Sequence, residues 1–169
     1  MNLKIMKEIL TERPQKVVVS KGAKGWFVTI TLDVTEVDGG FECDYFVVEL
    51  DHRPVMDDVR TAIINHINAE TDEKILSGYV WNGKPVWLSS ENQFNFKAAY
   101  DVAVQTGGAT LPVKFKLGET DGQPVYHTFK SMNAFTEFYT GAIGYIQQML
   151  TAGWIEKDAV DEWLSDVEL

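Results

Sequence analysis

Catalysis needs side chains that move a proton, hold a metal or attack a bond, and this chain places few of them at useful spacings. Carboxylates pair at Asp57 with Asp58 and gather at Asp158, Asp161 and Glu162. Such pairs can do acid–base or metal work. Both sets fall in solvent-facing helix turns, where dipole complementarity and solvation account for them. Cys43 is the single cysteine, so no intramolecular disulfide and no thiolate metal cluster can form. Its strand-like surroundings predict a buried small hydrophobe. His52, His66 and His127 lack ligand spacings such as H-x-x-x-H or H-E-x-x-H. Ser89 and Ser90 lie outside a G-x-S-x-G elbow and predict a helix cap instead. Gly22-Ala23-Lys24-Gly25 and Gly107-Gly108 do not combine lysine, hydroxyl and a following helix as a phosphate loop does. The residues therefore predict a protein that is not an enzyme and has no cofactor and no metal site.

Aromatic side chains are the richer resource, with 9 Phe, 6 Tyr and 5 Trp. Tyr79, Trp81 and Trp87 fall on the two strands of one hairpin. Sharing a face, they would make a flat platform for a sugar or a partner chain; alternatively they fill the layer between sheet and helices. Val80, Val86 and Leu88 take the alternate face, and the pattern leaves open which face is exposed. Asn92, Gln93 and Asn95 open the next helix, placed to orient a polar ligand or to hydrogen-bond neighbouring loops. Tyr79, Trp81, Trp87, Asn92 and Gln93 are the candidate ligand or partner surface.

Composition limits what such a surface can meet. Among 169 residues, 15 Lys and Arg face 25 Asp and Glu, a net charge of −10, with 45% hydrophobic and 24% charged residues. These values exclude a disordered chain, a collagen-like fibre and a disulfide scaffold. Groove binding of nucleic acid needs clustered lysine and arginine, and the longest basic stretch is the thin Lys16, Lys21, Lys24. Nucleic acid and anionic membrane are not expected partners. The acids concentrate in the tail, where Glu156, Asp158, Asp161, Glu162, Asp166 and Glu168 accompany a lone Lys157. A solvated helix face explains them, and an acidic DNA-mimic or regulatory surface is the alternative. The first residues, Met1 to Glu8, break every apolar run with charge, and no stretch reaches the roughly 20 apolar residues that span a bilayer. The expected location is a cytoplasm, or a larger particle that leaves it.

The elements that must position these side chains can be read from periodicity. Leu3, Met6 and Leu10 predict a short N-terminal helix ending at Pro14. Val17-Val18-Val19 begins a β region, and Trp26, Val28, Ile30, Leu32 and Val34 alternate with polar or outward residues. After the Asp38-Gly39-Gly40 turn, 41–50 returns as the partner strand, with an edge in this region available for a second copy of the chain. A helix is expected over 55–69, led by Pro54, with Asp57 and Asp58 in its first turn.

Two β-β-helix units follow, hinged on Asn82-Gly83 and Asp121-Gly122. Their helices are expected over 91–106 and 132–151, stopped by Gly107-Gly108 and Gly153. Gly83-Lys84-Pro85-Val86-Trp87 matches Gly122-Gln123-Pro124-Val125-Tyr126, and Ser90 with Gln93 suggests a capping box. Apolar residues cover so much of 94–104 that this helix is expected to be buried on more than one side. Gly141 and Gly144 weaken the next helix by about 1 kcal/mol each, which predicts close approach of another element. Residues 155–167 predict a final acidic helix.

The expected fold is α+β: an N-terminal β-hairpin module with a short helix over 1–54, then a domain over 55–169 comprising a helix, two ββα units and the acidic helix.

Several motifs in order carry a resemblance. Ile75-Leu76-Ser77-Gly78-Tyr79-Val80-Trp81, Glu91-Asn92-Gln93-Phe94-Asn95 and Trp154-Ile155-Glu156-Lys157-Asp158 resemble elements of a phage and prophage protein family, domain of unknown function 4376. The run from Val86 to Asn95 is similar to small proteins of Bacteroides-type phages and prophages. The resemblance covers about two-thirds of the chain. It implies a tail or tail-fibre context, other virion proteins as partners, and no catalytic residue or cofactor. The first 55 residues lie outside it and are expected to serve as a docking arm.

Overall fold

The computed structural model describes residues 4–169, and the protein is α+β, with helices and antiparallel sheets. Contacts divide the chain into two compact units. One runs to Ala69 and takes in Ile155–Leu169; the other is Glu70–Trp154. The sequence reading divides the chain at 54/55 instead. The first turns of the helix after Pro54 pack on the N-terminal sheet, which accounts for the difference.

In the first unit, β1 (Met6–Leu10), β2 (Val17–Lys21), β3 (Trp26–Val37) and β4 (Gly40–Leu50) form an antiparallel sheet in the order β1-β4-β3-β2. Gly39, at φ +90°, supplies the left-handed residue of the β3–β4 turn. Val28 and Ile30 are buried as their alternation requires. A bulge between Thr31 and Asp33 then interrupts the register, and buried Thr31 donates its hydroxyl to the Gln15 carbonyl at 3.0 Å. The expected helix over the first dozen residues is corrected here: Met6–Leu10 is an edge strand, paired from Met6↔Tyr45 to Leu10↔Phe41. Its Lys7 sits 3.0 Å from Asp44 on β4, a non-local partner that local periodicity cannot register. Leu3, the remaining apolar residue of that expectation, lies outside the described residues.

Helix α1 (Met56–Ser77) buries Val59, Ala62, Ile63, His66 and Ile67, and carries Asp57 and Asp58 in its first turn as expected. It is longer than the expected 55–69. Val59, Ala62, Ile63 and Ile67 join Val28, Ile30 and Phe46 of the sheet in one core, together with Val160 and Leu164.

The expected break at Gly153 and the separate helix over 155–167 are both corrected. The preceding helix continues through Gly153 to Asp158, and only Val160–Trp163 forms a further short helix. Gly153 is a packing residue: a Cβ there would lie 2.5 Å from Thr71 Oγ1. Two tail acids are tied down. Arg60 donates to both Asp161 oxygens at 2.7 and 3.0 Å, and Lys16 reaches Asp166 at 2.6 Å.

The second unit holds the two ββα units. The first is β5 (Tyr79–Trp81), β6 (Lys84–Val86) and α2 (Ser90–Gln105). The second is β7 (Val113–Thr120), β8 (Gln123–Phe129) and α3 (Met132–Asp158), while Val160–Trp163 is α4. Both turns form as their residues demand, with positive φ at Asn82 and Gly83 and again at Asp121 and Gly122. The cap of α2 shifts by one residue from the expected Ser90. Ser89 Oγ accepts from the Asn92 N–H at 3.2 Å. Gly141 lets β5 approach α3, since a Cβ would meet Tyr79 Oη at 2.5 Å, whereas Gly144 faces open space. The core of this unit is aromatic: Phe96 of α2, Phe129 of β8, and Phe135 and Phe138 of α3 pack with Trp81, Val86, Leu88 and Leu117. Helix α2 is buried on one side only, through Phe96 and Ala103. Phe94, Val102 and Val104 remain exposed, which corrects the expectation of burial on several sides.

Candidate functional site

The hairpin of Tyr79 to Trp87 does not present its three aromatics together. Tyr79 and Trp81 alternate with exposed Val80, so both turn inward beside Val86. Trp81 is 7% exposed and packs against Phe129 and Phe138, with ring centroids at 5.3 and 5.4 Å. Tyr79 lies against the same core, near Phe138 and Tyr145, and burial pushes its phenol up. Trp87 follows the last residue of β6 and turns outward, 36% exposed. The three-residue platform therefore gives way to a single outward tryptophan.

Asn92 and Gln93 are committed to structure. Asn92 Nδ2 donates to the Trp87 carbonyl at 2.9 Å, and Gln93 Nε2 to the Leu88 carbonyl at 2.6 Å. With the Ser89 cap they fix the β6–α2 connection. They bear on the site by holding the Trp87 backbone, whose N–H donates to the Leu117 carbonyl of β7 at 2.7 Å.

That last bond, with Gly118, brings β6 beside β7. A Cβ on Gly118 would lie 2.7 Å from the Pro85 carbonyl oxygen and 3.4 Å from Trp87 Cδ1. Only a residue without a side chain permits this approach. The outer side of these strands then gathers residues that sequence reasoning did not single out. Lys116 Nζ lies 5.3 Å from the Trp87 ring centroid, and Lys114 Nζ lies 4.6 Å from that of Tyr126. Lys116 and Tyr126 are register partners on β7 and β8, and Tyr126 is 51% exposed. Lys116 also reaches Glu119 at 2.7 Å. Among the described residues, no carboxylate is paired with Lys114. The outer face is thus a row of exposed tryptophan, lysine and tyrosine, with a second lysine beside it and Val80 at its margin.

The readable signal was period two. Lys114 and Lys116 alternate with Val113, Phe115 and Leu117, so the outward residues of β7 were marked by charge. Strands β6, β7 and β8 carry Lys84, Lys114 and Lys116 against Glu119 alone, in a chain whose net charge is −10. On the outer face itself Lys114 and Lys116 stand against Glu119, a local charge opposite in sign to that of the whole.

The inner side offers a second polar group. Lys84 donates to His127 Nδ1 at 3.2 Å, and burial together with this ammonium holds His127 below its ordinary range. The neutral ring accepts at Nδ1 and carries its proton on Nε2. Trp81 packs edge-on to that ring at 4.8 Å, and its indole N–H is buried without a partner.

Elsewhere several charged groups are engaged with one another. Asp58 accepts from the Val55 N–H at 2.9 Å and from His52 at 3.1 Å, so the Asp57–Asp58 pair serves the start of α1. Hollows of about 330 and 310 Å³ lie beside Lys16 with Asp166 and beside Lys7 with Asp44, and each lysine is already paired there. Cys43 is buried on β4, its thiol pushed up by burial. Among the described residues, no three His, Cys, Asp or Glu side chains converge to hold a metal. None of the described helices is long and apolar enough to cross a membrane.

No family model, curated protein or solved structure matches the chain.

Proposed function

We propose that this chain is a non-enzymatic structural or assembly accessory protein of a phage or prophage, associated with the tail or tail fibre. It acts through protein–protein contacts made by the outer face of β6–β8. The observation that carries the contact surface is the row Trp87, Lys116 and Tyr126 with Lys114, exposed on the side of these strands that faces away from the aromatic core. Tryptophan and tyrosine bring large, rigid, amphipathic area to an interface at low entropic cost and are enriched among residues that dominate binding energy. The phage affiliation rests on the resemblance carried by 75–81, 91–95 and 154–158, and it places the protein in a host cytoplasm and in particles assembled there.

A glycan-binding reading uses the same tryptophan. It is the weaker of the two, because Lys116 stands over the ring on which a sugar would stack. The DNA-mimic reading needs an unbroken row of free carboxylates, and Asp161 and Asp166 are paired within the chain.

Mass spectrometry of purified particles and assembly intermediates tests the proposal. The chain is expected in one or both, and Trp87→Ala should reduce its amount relative to other particle proteins. Absence of the wild-type chain from both would end this reading.

A further inference from the structure

We propose that the outer face of β6–β8 takes a carboxylate-rich peptide segment of a partner protein, an inference that rests on this face being the contact surface.

Three features select that occupant. The first is charge. The face carries Lys114 and Lys116 against Glu119, while the chain as a whole is at −10. A cationic segment would be drawn to the rest of the molecule, and an anionic one has its attractive ground here.

The second is the state of the rings. Each lysine ammonium already stands over an aromatic ring, at 5.3 Å from Trp87 and 4.6 Å from Tyr126. Stacking a sugar would displace an ammonium and forfeit its attraction to the ring. A carboxylate can instead pair with the ammonium and leave the ring contact in place.

The third is the Lys116–Glu119 pair at 2.7 Å. Glu119 occupies Lys116 in the free chain as an incoming carboxylate would, and both side chains are part-exposed, so exchange costs little. Lys116 Nζ stands 5.3 Å from the Trp87 ring centroid and Lys116 is the register partner of Tyr126; paired strands lie roughly 4.8 Å apart, so Trp87, Lys116 and Tyr126 make a row of roughly 10 Å. That length suits a few residues of extended peptide, with acids meeting lysines and apolar side chains meeting rings.

The test is titration of the full ¹⁵N-labelled chain with poly-L-glutamate, following the tryptophan indole resonances. Trp87 is assigned by Trp87→Phe, and Trp26, Trp81, Trp154 and Trp163 serve as references within the same spectrum. The Trp87 resonance should move, and added salt should weaken the effect. Lys114→Gln and Lys116→Gln should each weaken binding about two- to fivefold, and Glu119→Gln should tighten it by a similar factor.

An unmoved Trp87 resonance, or binding indifferent to all three substitutions, would overturn the inference. So would polygalacturonate acting at lower concentration than poly-L-glutamate, since that result assigns the face to an acidic glycan. The two readings fail separately. If Trp87 stays unmoved while Trp87→Ala still depletes the chain from particles, the contact surface stands and its acidic occupant falls. If poly-L-glutamate binds as described but the chain is absent from particles and intermediates, the peptide site stands and the phage role falls.

Discussion

Replacing Phe138 by alanine should be among the most damaging single changes in the second unit, and the same change at Phe94 should be almost silent. Both are phenylalanines on apolar-rich helices, yet Phe138 is fully buried while Phe94 is 71% exposed. Phe138 packs against Phe129 at 4.9 Å, Phe96 at 5.0 Å and Trp81 at 5.4 Å. A buried phenylalanine removes at least about 150 Å² from water, which at about 25 cal/mol per Å² is about 4 kcal/mol. The cavity left among rigid rings offsets the part that the alanine methyl retains, so a loss of about 3–5 kcal/mol is expected. With a urea slope of about 2 kcal/mol per M, the unfolding midpoint should fall by roughly 2 M. Phe94→Ala should stay within about 0.5 kcal/mol, as exposed substitutions do. Urea titration followed by far-ultraviolet circular dichroism measures both, and Phe138→Leu should fall between them. A shift under about 0.5 M for Phe138→Ala, or equal shifts for the two alanines, would refute the packing described for α2 and α3.

Three further outcomes are expected. Ser89→Ala should cost about 1 kcal/mol and Ser90→Ala much less, because Ser89 accepts from the Asn92 N–H; equal urea midpoints for the two would contradict the cap. Gly118→Ala should cost about 1–3 kcal/mol, since the new Cβ meets the Pro85 backbone carbonyl at 2.7 Å, and the Trp87 indole resonance should shift as β6 and β7 separate. His52 is hydrogen-bonded by Asp51 and Asp58, which together raise its pKa above the ordinary histidine value. A raised folded value means the stabilisation is complete below the unfolded pKa of about 6.5 and is lost as pH climbs through the folded one. The urea midpoint should therefore fall over that window in the wild type but not in His52→Gln, and parallel curves for the two would disprove the contribution.

Much of the fold was legible because its determinants are local. Asn82-Gly83 and Asp121-Gly122 announce hairpins through the left-handed backbone they require, and both adopt it. Val28 and Ile30 alternate along β3 as a half-buried strand must. Reading failed where the deciding partner is distant in sequence. Met6 and Leu10 suit a helix or a strand equally, and pairing with 41–45 on β4 decides. Gly153 reads as a stop until Thr71 is seen against it. Of the candidate surface, Trp87 was legible as an aromatic able to face outward, but the facing of Tyr79 and Trp81 was not, because short strands with large residues on both faces carry no polarity signal. Asn92 and Gln93 fell at the right place for a different task, since carbonyls at 87 and 88 take their amide protons. Lys114, Lys116 and Tyr126 went unread because their position beside Trp87 depends on the approach of β6 to β7 at Gly118.

Acetylation footprinting of lysines tests the proposed contact surface most directly, comparing the purified chain with the chain held in assembled particles or intermediates. Lys114 and Lys116 should react freely in the isolated protein and become protected in the assembly, while exposed Lys24 in the β2–β3 turn reacts alike in both. Equal labelling of Lys114 and Lys116 in the two states, with protection falling on other lysines, would contradict the account.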